Sequence, residues 1–347
     1  MQGKMFAALF HEHGDASKIK YEEVPIPQIS DDEVLVRVEY CSLNRLDIFV
    51  RNGSPSLNIP LPHVSGSDFV GTIAEIGEKV TGYDIGDRVA VNAVWFCNKC
   101  ERCLEGEHSL CNSFKMIGEH LWGGFAQYAK VPARNLVKIP ENVDSKAVAA
   151  LGLTTLTAWR MLKRAEIQPG SIVVVPGAGG GLSTAGIQIA KHFGAKVIAL
   201  TSTEKKIEHA KRLGADIVLN YKEEEKWGKK ILELTKGRGA DIVFESVGQA
   251  TWQNSLRCLR KGGTLVTAGA TTGFQGMTNI GAVFWLQLRI IGSTMANMKE
   301  FREAMELIFS GKIKPVIDKV FPLNKLADAE RYLEDGMHTG KILIEIP

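Results

Sequence analysis

Four cysteines within fifteen residues constrain this 347-residue chain more than any other feature. Cys97, Cys100, Cys103 and Cys111 follow the spacing Cys-x2-Cys-x2-Cys-x7-Cys. Four thiolates so placed can close a tetrahedral shell around one Zn²⁺ without help from elsewhere in the chain. A closed shell has no open position for substrate, so the expected metal is structural and organises a lobe of about residues 92–115. Two disulfides are the competing reading, and free thiols a third. Disulfides need an oxidising compartment, yet the opening MQGKMFAALFHEHG shows neither a long apolar run nor a small-residue cleavage pattern. Only Cys41 and Cys258 lie outside the cluster, which is not a disulfide-rich usage. A redox Cys-x-x-Cys usually opens a helix after a strand, whereas this one sits in a charged loop, NKCERCLEGEHSLCN.

Composition narrows the class. A net charge of +3, with no basic block carrying interleaved aromatics, argues against a nucleic-acid partner. No uncharged apolar stretch approaches the length of a membrane span. The expectation is a cytoplasmic protein of two domains.

The pattern along the chain changes near Lys146. Before it, short strands dominate: Val34–Tyr40 alternates apolar and polar residues, and Phe69–Ile76 and Arg88–Val94 are further candidates. Lys146–Arg164 reads as helix. Strands at Ser171–Val175, Lys196–Leu200, Ile217–Asn220, Asp241–Glu245, Thr264–Ala268 and Leu288–Gly292 then alternate with helices at Thr184–Phe193, Glu204–Leu213, Lys226–Lys236 and Ala250–Leu259. That alternation predicts a doubly wound, mostly parallel sheet, giving an α/β fold class. Two more helices, Lys299–Ser310 and Lys325–Asp335, and a strand at Lys341–Ile346 should return to the first domain. The expected boundaries are 1–151, 152–297 and a return segment 298–347.

The first strand–helix junction of that series reads Val175-Pro-Gly-Ala-Gly-Gly-Gly-Leu-Ser183. Glycines let the backbone approach a pyrophosphate, and the following helix offers free N–H groups and its positive dipole end. A ligand-free packing turn is the alternative. At the end of the next strand, a nicotinamide dinucleotide without a 2′-phosphate usually meets an acid. Here Thr201, Ser202 and Thr203 occupy that stretch, followed by Glu204, Lys205 and Lys206. NADP(H) is therefore favoured over NAD(H).

The chain resembles the zinc-containing alcohol dehydrogenase superfamily, the medium-chain dehydrogenase/reductases. The resemblance runs over nearly the whole length. It is carried by the cysteine lobe, GTIAEIGEKVTGYDIGDRV from Gly71, Gly124-Phe-Ala-Gln-Tyr128, the glycine-rich turn and the closing GKILIEI. It implies a GroES-like β domain joined to a Rossmann domain, in a homodimer or homotetramer. Metal-dependent members also carry a catalytic zinc with three protein ligands. By register those positions fall here on Asn44, Ser67 and Leu153, and the position of the usual proton-relaying hydroxyl falls on Leu46. Asn is a poor zinc ligand, Ser rarely is one, and Leu cannot be one. Asn44…Asp47…Arg51-x-Gly53 and Gly66-Ser67-Asp68 resemble instead the quinone oxidoreductase branch, which works without that metal.

The resemblance also implies cofactor contacts. These are Arg45 toward the pyrophosphate, Thr157 near the carboxamide, and Gly177, Ala178, Gly180, Gly181 and Leu182 in the turn. Thr201, Ser202, Thr203, Lys206 and Tyr221 would lie at the adenosine end. Ser246, Val247, Gly248, Gly269 and Ala270 would border the nicotinamide ribose. Ser183 stands where the family has a third glycine, so wider helix–strand packing is expected there. The expected activity is hydride transfer from NAD(P)H to a quinone or an activated alkene or carbonyl without catalytic zinc. Asn44 is the candidate oxyanion donor, His120 the proton donor, and Asp47 and Ser67 their neighbours in the site. Two readings compete: an alcohol dehydrogenase with a metal rebuilt on Cys41, His63 or Asp68, and a nucleotide-binding protein without turnover. The substrate is a small, apolar molecule if Phe274, Phe284 and Trp285 line its pocket together with the loop at 52–62. They could equally pack a subunit interface.

Overall fold

The computed structural model describes residues 3–53 and 58–347. The chain divides into two compact units, Met1–Leu153 with Ala296–Pro347, and Thr154–Met295. Residues 54–57 of the expected pocket loop lie outside the described residues.

Strands build most of the first unit. They are β1 (Lys4–Leu9), β2 (Lys20–Pro25), β3 (Glu33–Ser42), β4 (Phe69–Ile76), β5 (Arg88–Val91), β6 (Val94–Trp95), β7 (Lys115–Met116), β8 (Tyr128–Pro132) and β9 (Leu136–Lys138). Helices α1 (Arg45–Asn52) and α2 (Glu101–Leu104) interrupt the series, and α3 (Ser145–Arg164) follows it. The other unit alternates in the order β10 (Ile172–Pro176), α4 (Gly181–His192), β11 (Lys196–Thr201), α5 (Glu204–Arg212), β12 (Ile217–Asn220) and α6 (Trp227–Leu234). It continues with β13 (Ala240–Glu245), α7 (Trp252–Arg257), β14 (Leu259–Thr267), α8 (Ile280–Trp285) and β15 (Arg289–Gly292). The chain then rejoins the first unit through α9 (Met298–Phe309), β16 (Ile317–Pro322), α10 (Leu326–Glu334) and β17 (Lys341–Glu345).

In the first unit a seven-stranded sheet runs β16-β17-β3-β4-β5-β9, with β8 also on β3. β3 is its axis. It pairs antiparallel with β4 on one edge, and with β8 and then β17 on the other. Both its faces are covered over Val34, Leu35 and Val36, while beyond them Arg37 is exposed between buried Val36 and Val38, as the alternating sequence suggests. The expected strand at Arg88–Val94 also differs, ending at Val91. The buried Asn135 amide explains the break, because its Nδ2 donates to the carbonyls of Asn92 and Val94, both at 2.7 Å. Beyond the break, β6 and β7 pair antiparallel and close the base of the cysteine lobe.

The second unit holds six strands in the order β12-β11-β10-β13-β14-β15, every neighbouring pair parallel. Helices on both faces explain why Val173, Val174, Val175, Val197, Ala199 and Phe244 are all buried without alternation. The order reverses between β10 and β13, which places a topological switch at the carboxyl end of β10. Helix α4 begins at Gly181, three residues before the sequence-based start. Ser183 is buried, and its hydroxyl donates to the Pro176 carbonyl at 3.3 Å. The close contact of α4 with the sheet comes one turn later: a Cβ on Gly186 would lie 2.8 Å from Cζ of Phe244. Gly186→Ala would gain about 1 kcal/mol of helix propensity. It would also push into a fully buried ring, at a cost of about 1–3 kcal/mol. We expect a net loss of stability by urea unfolding, and a gain would contradict this packing.

Candidate functional site

Asn44, Ser67 and Leu153 come from three separate segments, and two buried aspartates brace all three. Asp47, in the first turn of α1, accepts from the Asn44 amide N–H at 2.7 Å and the Gly66 N–H at 3.0 Å. It thereby joins the start of α1 to the Gly66-Ser67 turn. Asp68 accepts from the Leu153 N–H at 3.0 Å and the Ser42 hydroxyl at 2.8 Å. Lys341, at the start of β17, lies 3.4 Å from Asp68 Oδ2 and also donates to the Leu43 carbonyl (2.8 Å) and Asn44 Oδ1 (2.7 Å). All three charged side chains are buried. Burial pushes the Asp47 carboxyl up to about 7 and the Lys341 ammonium down from its ordinary value.

Asn44 is half-buried. Its Nδ2 donates to the Ser42 carbonyl at 3.2 Å. Ser67 is buried, and its hydroxyl has no hydrogen-bond partner among the described residues. A Cβ on Gly118 would lie 2.5 Å from that oxygen, so the Gly118-Glu119-His120 loop passes directly over Ser67. His120 is part-exposed, and its Nδ1 accepts from the Met116 N–H at 3.2 Å. In the neutral ring this leaves Nε2 as the protonated, donating nitrogen. Glu119, with Oε2 3.8 Å from His120 Nδ1, has its carboxyl raised by burial. Arg45 is half-buried, and burial lowers its ordinarily very high pKa.

Two groups of residues could hold a metal or a cofactor. The four cysteine sulfurs lie within 4.8 Å of one another, with Cys97–Cys103 and Cys100–Cys111 both at 3.9 Å. Tetrahedral zinc with Zn–S bonds of about 2.3 Å requires S···S separations of about 3.8 Å, so the set fits that ion. Backbone N–H groups of Cys100 and Ser113 point at Cys97 Sγ and Cys111 Sγ, as thiolates require. The loop differs from its reading as plain loop, since α2 starts directly after Cys100. The lobe is tied to the return segment by His108, which stacks on Phe96 at 3.9 Å and accepts from the Met298 N–H.

No other group of three or more potential metal-binding side chains occurs among the described residues, so Cys41, His63 and Asp68 do not gather into one. Cys41 is fully buried, with its thiol pushed well up by burial. The His63 ring donates from Nε2 to the Gly118 carbonyl at 3.3 Å.

The glycine-rich turn fits a pyrophosphate. Gly177 adopts φ +68°, and Gly180, with no side chain, is the N-cap of α4, so no side chain competes for the first N–H groups of that helix. A Cβ on Gly179 would strike the Lys206 stem at 2.6 Å, so this lysine lies over the turn. Ala178 is buried within the turn, where its N–H donates to the Leu200 carbonyl, while Gly181 and Leu182 open α4. Beyond β11, Thr201 is buried, Ser202 is half-buried and Thr203 caps α5. Tyr221 is 40% exposed and free to stack on a ligand. Thr157 lies buried in α3.

On the other side of the turn, Val247 Cγ2 would be 2.9 Å from a Cβ on Gly177. The Ser246-Val247-Gly248 loop is interlocked with the loop after Gly269-Ala270, since Thr272 N–H donates to the Val247 carbonyl and Gln249 N–H to the Gly273 carbonyl. Glu245 fixes this junction. It is fully buried and accepts from the N–H groups of Val247 (2.6 Å) and Gly248 (3.1 Å) and the hydroxyls of Thr251 (2.9 Å) and Ser255 (2.6 Å). Sequence reasoning missed both Glu245 and Lys341. The available signal was an acid ending the apolar run Ile242-Val-Phe, and a lysine opening an otherwise apolar strand. Phe274, Phe284 and Trp285 are 86%, 69% and 76% exposed, so none is part of the core of its unit.

Comparison with known proteins places the class. Residues 30–141 match the family described as alcohol dehydrogenase GroES-like domain, and residues 181–310 match zinc-binding dehydrogenase. The chain is 31% identical to an alcohol dehydrogenase of Schizosaccharomyces pombe, over 99% of this chain and 98% of that one. It is 32% identical to an acryloyl-coenzyme A reductase of Sulfurisphaera tokodaii, over 96% and 98%. A crystal structure of an NAD-dependent alcohol dehydrogenase superposes with a TM-score of 0.94 at 39% identity, covering 99% of this chain and 100% of that one. The chain belongs to the zinc-containing alcohol dehydrogenase superfamily, and is an NAD(P)-dependent oxidoreductase with GroES-like and Rossmann domains. No described helix is long and apolar enough to cross a membrane.

His63 gives this region a pH signature. Burial pushes its pKa down to about 4, so the folded state binds fewer protons than the unfolded state just below the ordinary histidine value. The stability that follows is present at neutral pH and is lost as pH falls toward 4, by about 3 kcal/mol. His63→Gln, which keeps a donor for Gly118, should flatten this slope in denaturant midpoints. A variant with the wild-type acid slope would contradict the assignment.

Proposed function

We infer that this protein reduces an alkene conjugated to a carbonyl, or a quinone, with NADPH and with no metal at the reacting carbonyl. The observation that carries this reading is the side-chain set at 44, 67 and 153. An amide, a hydroxyl and an isobutyl group, braced in place by Asp47 and Asp68, offer hydrogen-bond donors and no zinc ligands. When bound, the reduced nicotinamide supplies hydride. Hydride reaches the substrate's β-carbon, the double-bond electrons move toward the carbonyl oxygen, and a proton completes the α-carbon. Asn44 Nδ2 is the donor for the oxygen as its charge grows. His120 donates a hydrogen bond to the reacting group through the Nε2–H that its contact with Met116 leaves available, and solvent supplies the proton that completes the α-carbon. Ser67, with an unmatched buried hydroxyl, is the second donor.

The relative named as an acryloyl-coenzyme A reductase supports a conjugated acyl thioester within this substrate class. The lack of an acid at Thr201–Thr203 and the Lys206 stem over the turn favour NADPH. The cysteine cluster is the structural zinc site, in a protein of the cytoplasm. Homo-oligomer formation is supported by β15, an outer strand of its sheet that carries the exposed Ile290, and by the exposed Phe284 and Trp285 of α8. The alcohol dehydrogenases among the relatives favour a second reading, alcohol oxidation.

The test is oxidation of NADPH and NADH against enones, quinones, acyl thioesters and aldehydes, with and without a chelator. Turnover of a conjugated substrate that chelation leaves intact supports the proposal. Turnover confined to alcohols and aldehydes and abolished by chelation, or none at all, would overturn it. Asn44→Ala should lower kcat about 100-fold with KM for NADPH unchanged.

A further inference from the structure

We propose that Lys341 is a positioning residue that fixes the Asn44 amide with its nitrogen, not its oxygen, presented for the reaction. This rests on the reading of Asn44 as oxyanion donor. An asparagine amide can flip by half a turn, which exchanges a donor for an acceptor and would reverse its value to a developing negative charge. Two contacts settle the orientation here. Lys341 can only donate, so the atom it meets at 2.7 Å is Oδ1. The Ser42 carbonyl can only accept, so the atom it meets at 3.2 Å is Nδ2. A flipped amide would set its NH₂ against an ammonium and its oxygen against a carbonyl oxygen. Both contacts would be lost together.

Lys341 is itself held on every donor. Its side chain is 5% exposed, and its three donors go to the Leu43 carbonyl, Asn44 Oδ1 and Asp68 Oδ2. Its backbone lies in β17, which is paired on both sides, with β16 and β3. The ammonium also polarises the amide it holds, which makes the Nδ2 protons better donors. One of those protons goes to Ser42, and the other has no partner among the described residues. Lys341 acts on the reaction through Asn44, and because Asp68 also holds the Leu153 N–H and the Ser42 hydroxyl, Asp68→Asn alone is the reference for the paired variant.

The experiment is a double-mutant cycle on the whole, NADPH-supplied enzyme with a conjugated substrate. Lys341→Met is combined with Asp68→Asn, so that no buried carboxylate is left without its cation. In the wild-type background kcat should fall about tenfold relative to Asp68→Asn alone while KM for NADPH stays the same. In the Asn44→Ala background the same comparison should show a fall of less than about twofold. Equal losses in both backgrounds, or no loss in the first, would overturn the proposal. Failure of the oxyanion reading is separately visible as an Asn44→Ala variant with undiminished kcat. Should the paired variant not fold, the wild-type side-chain amide decides by NMR. Contacts from the Asn44 Nδ2 protons to Ser42 are expected, and contacts from them to the Lys341 ε-methylene would overturn the orientation.

Discussion

Burying a carboxylate is costly unless its oxygens are matched, and Asp47 and Asp68 are matched by groups from distant parts of the chain. Their partners are Asn44, Gly66, Leu153, Ser42 and Lys341. This constraint holds the proposed site together. Asp47 joins the start of α1 to the Gly66 turn, and Asp68 joins Ser42, Leu153 and Lys341, so these segments are held as a set. Hydrogen bonds from backbone amides draw positions 44, 67 and 153 together, with the Lys341 ammonium beside Asp68.

The same economy appears around the glycine-rich turn. Glu245 has four donors and no cation among the described residues, and ties Val247 and Gly248 to α7 through Thr251 and Ser255. The loop beside the turn is therefore fixed by a side chain that never needs to meet the dinucleotide. Both units place their candidate contacts on short turns and anchor those turns with a buried acid. A rigid loop of this kind loses less entropy when it binds.

Much of this was legible in the sequence, for physical reasons. The parallel sheet announces itself because strands buried on both faces become unbroken apolar runs, as in Val173–Val175 and Val197–Leu200. The cysteine cluster needs only spacing. Helix α1 was not legible, because two charged residues, Asp47 and Arg51, lie on its buried side and hide its apolar period. Arg51 can be buried there because Glu330 and Glu334 of α10, almost three hundred residues later, receive it at 2.6 Å. The remaining local signal was Asn44-x-x-Asp47, an N-cap residue with an acid three positions on. Lys341 was invisible in its role, since nothing near it in sequence reports that Asn44 and Asp68 face it. Pairings between distant segments are what a single sequence hides.

We propose that organic side chains polarise the substrate while zinc is held only by the four cysteines. The direct measurement is the zinc content of the active enzyme, counted per chain by elemental analysis alongside turnover. One zinc per chain is expected at full activity. Two per chain, with activity falling as the second is removed, would contradict it.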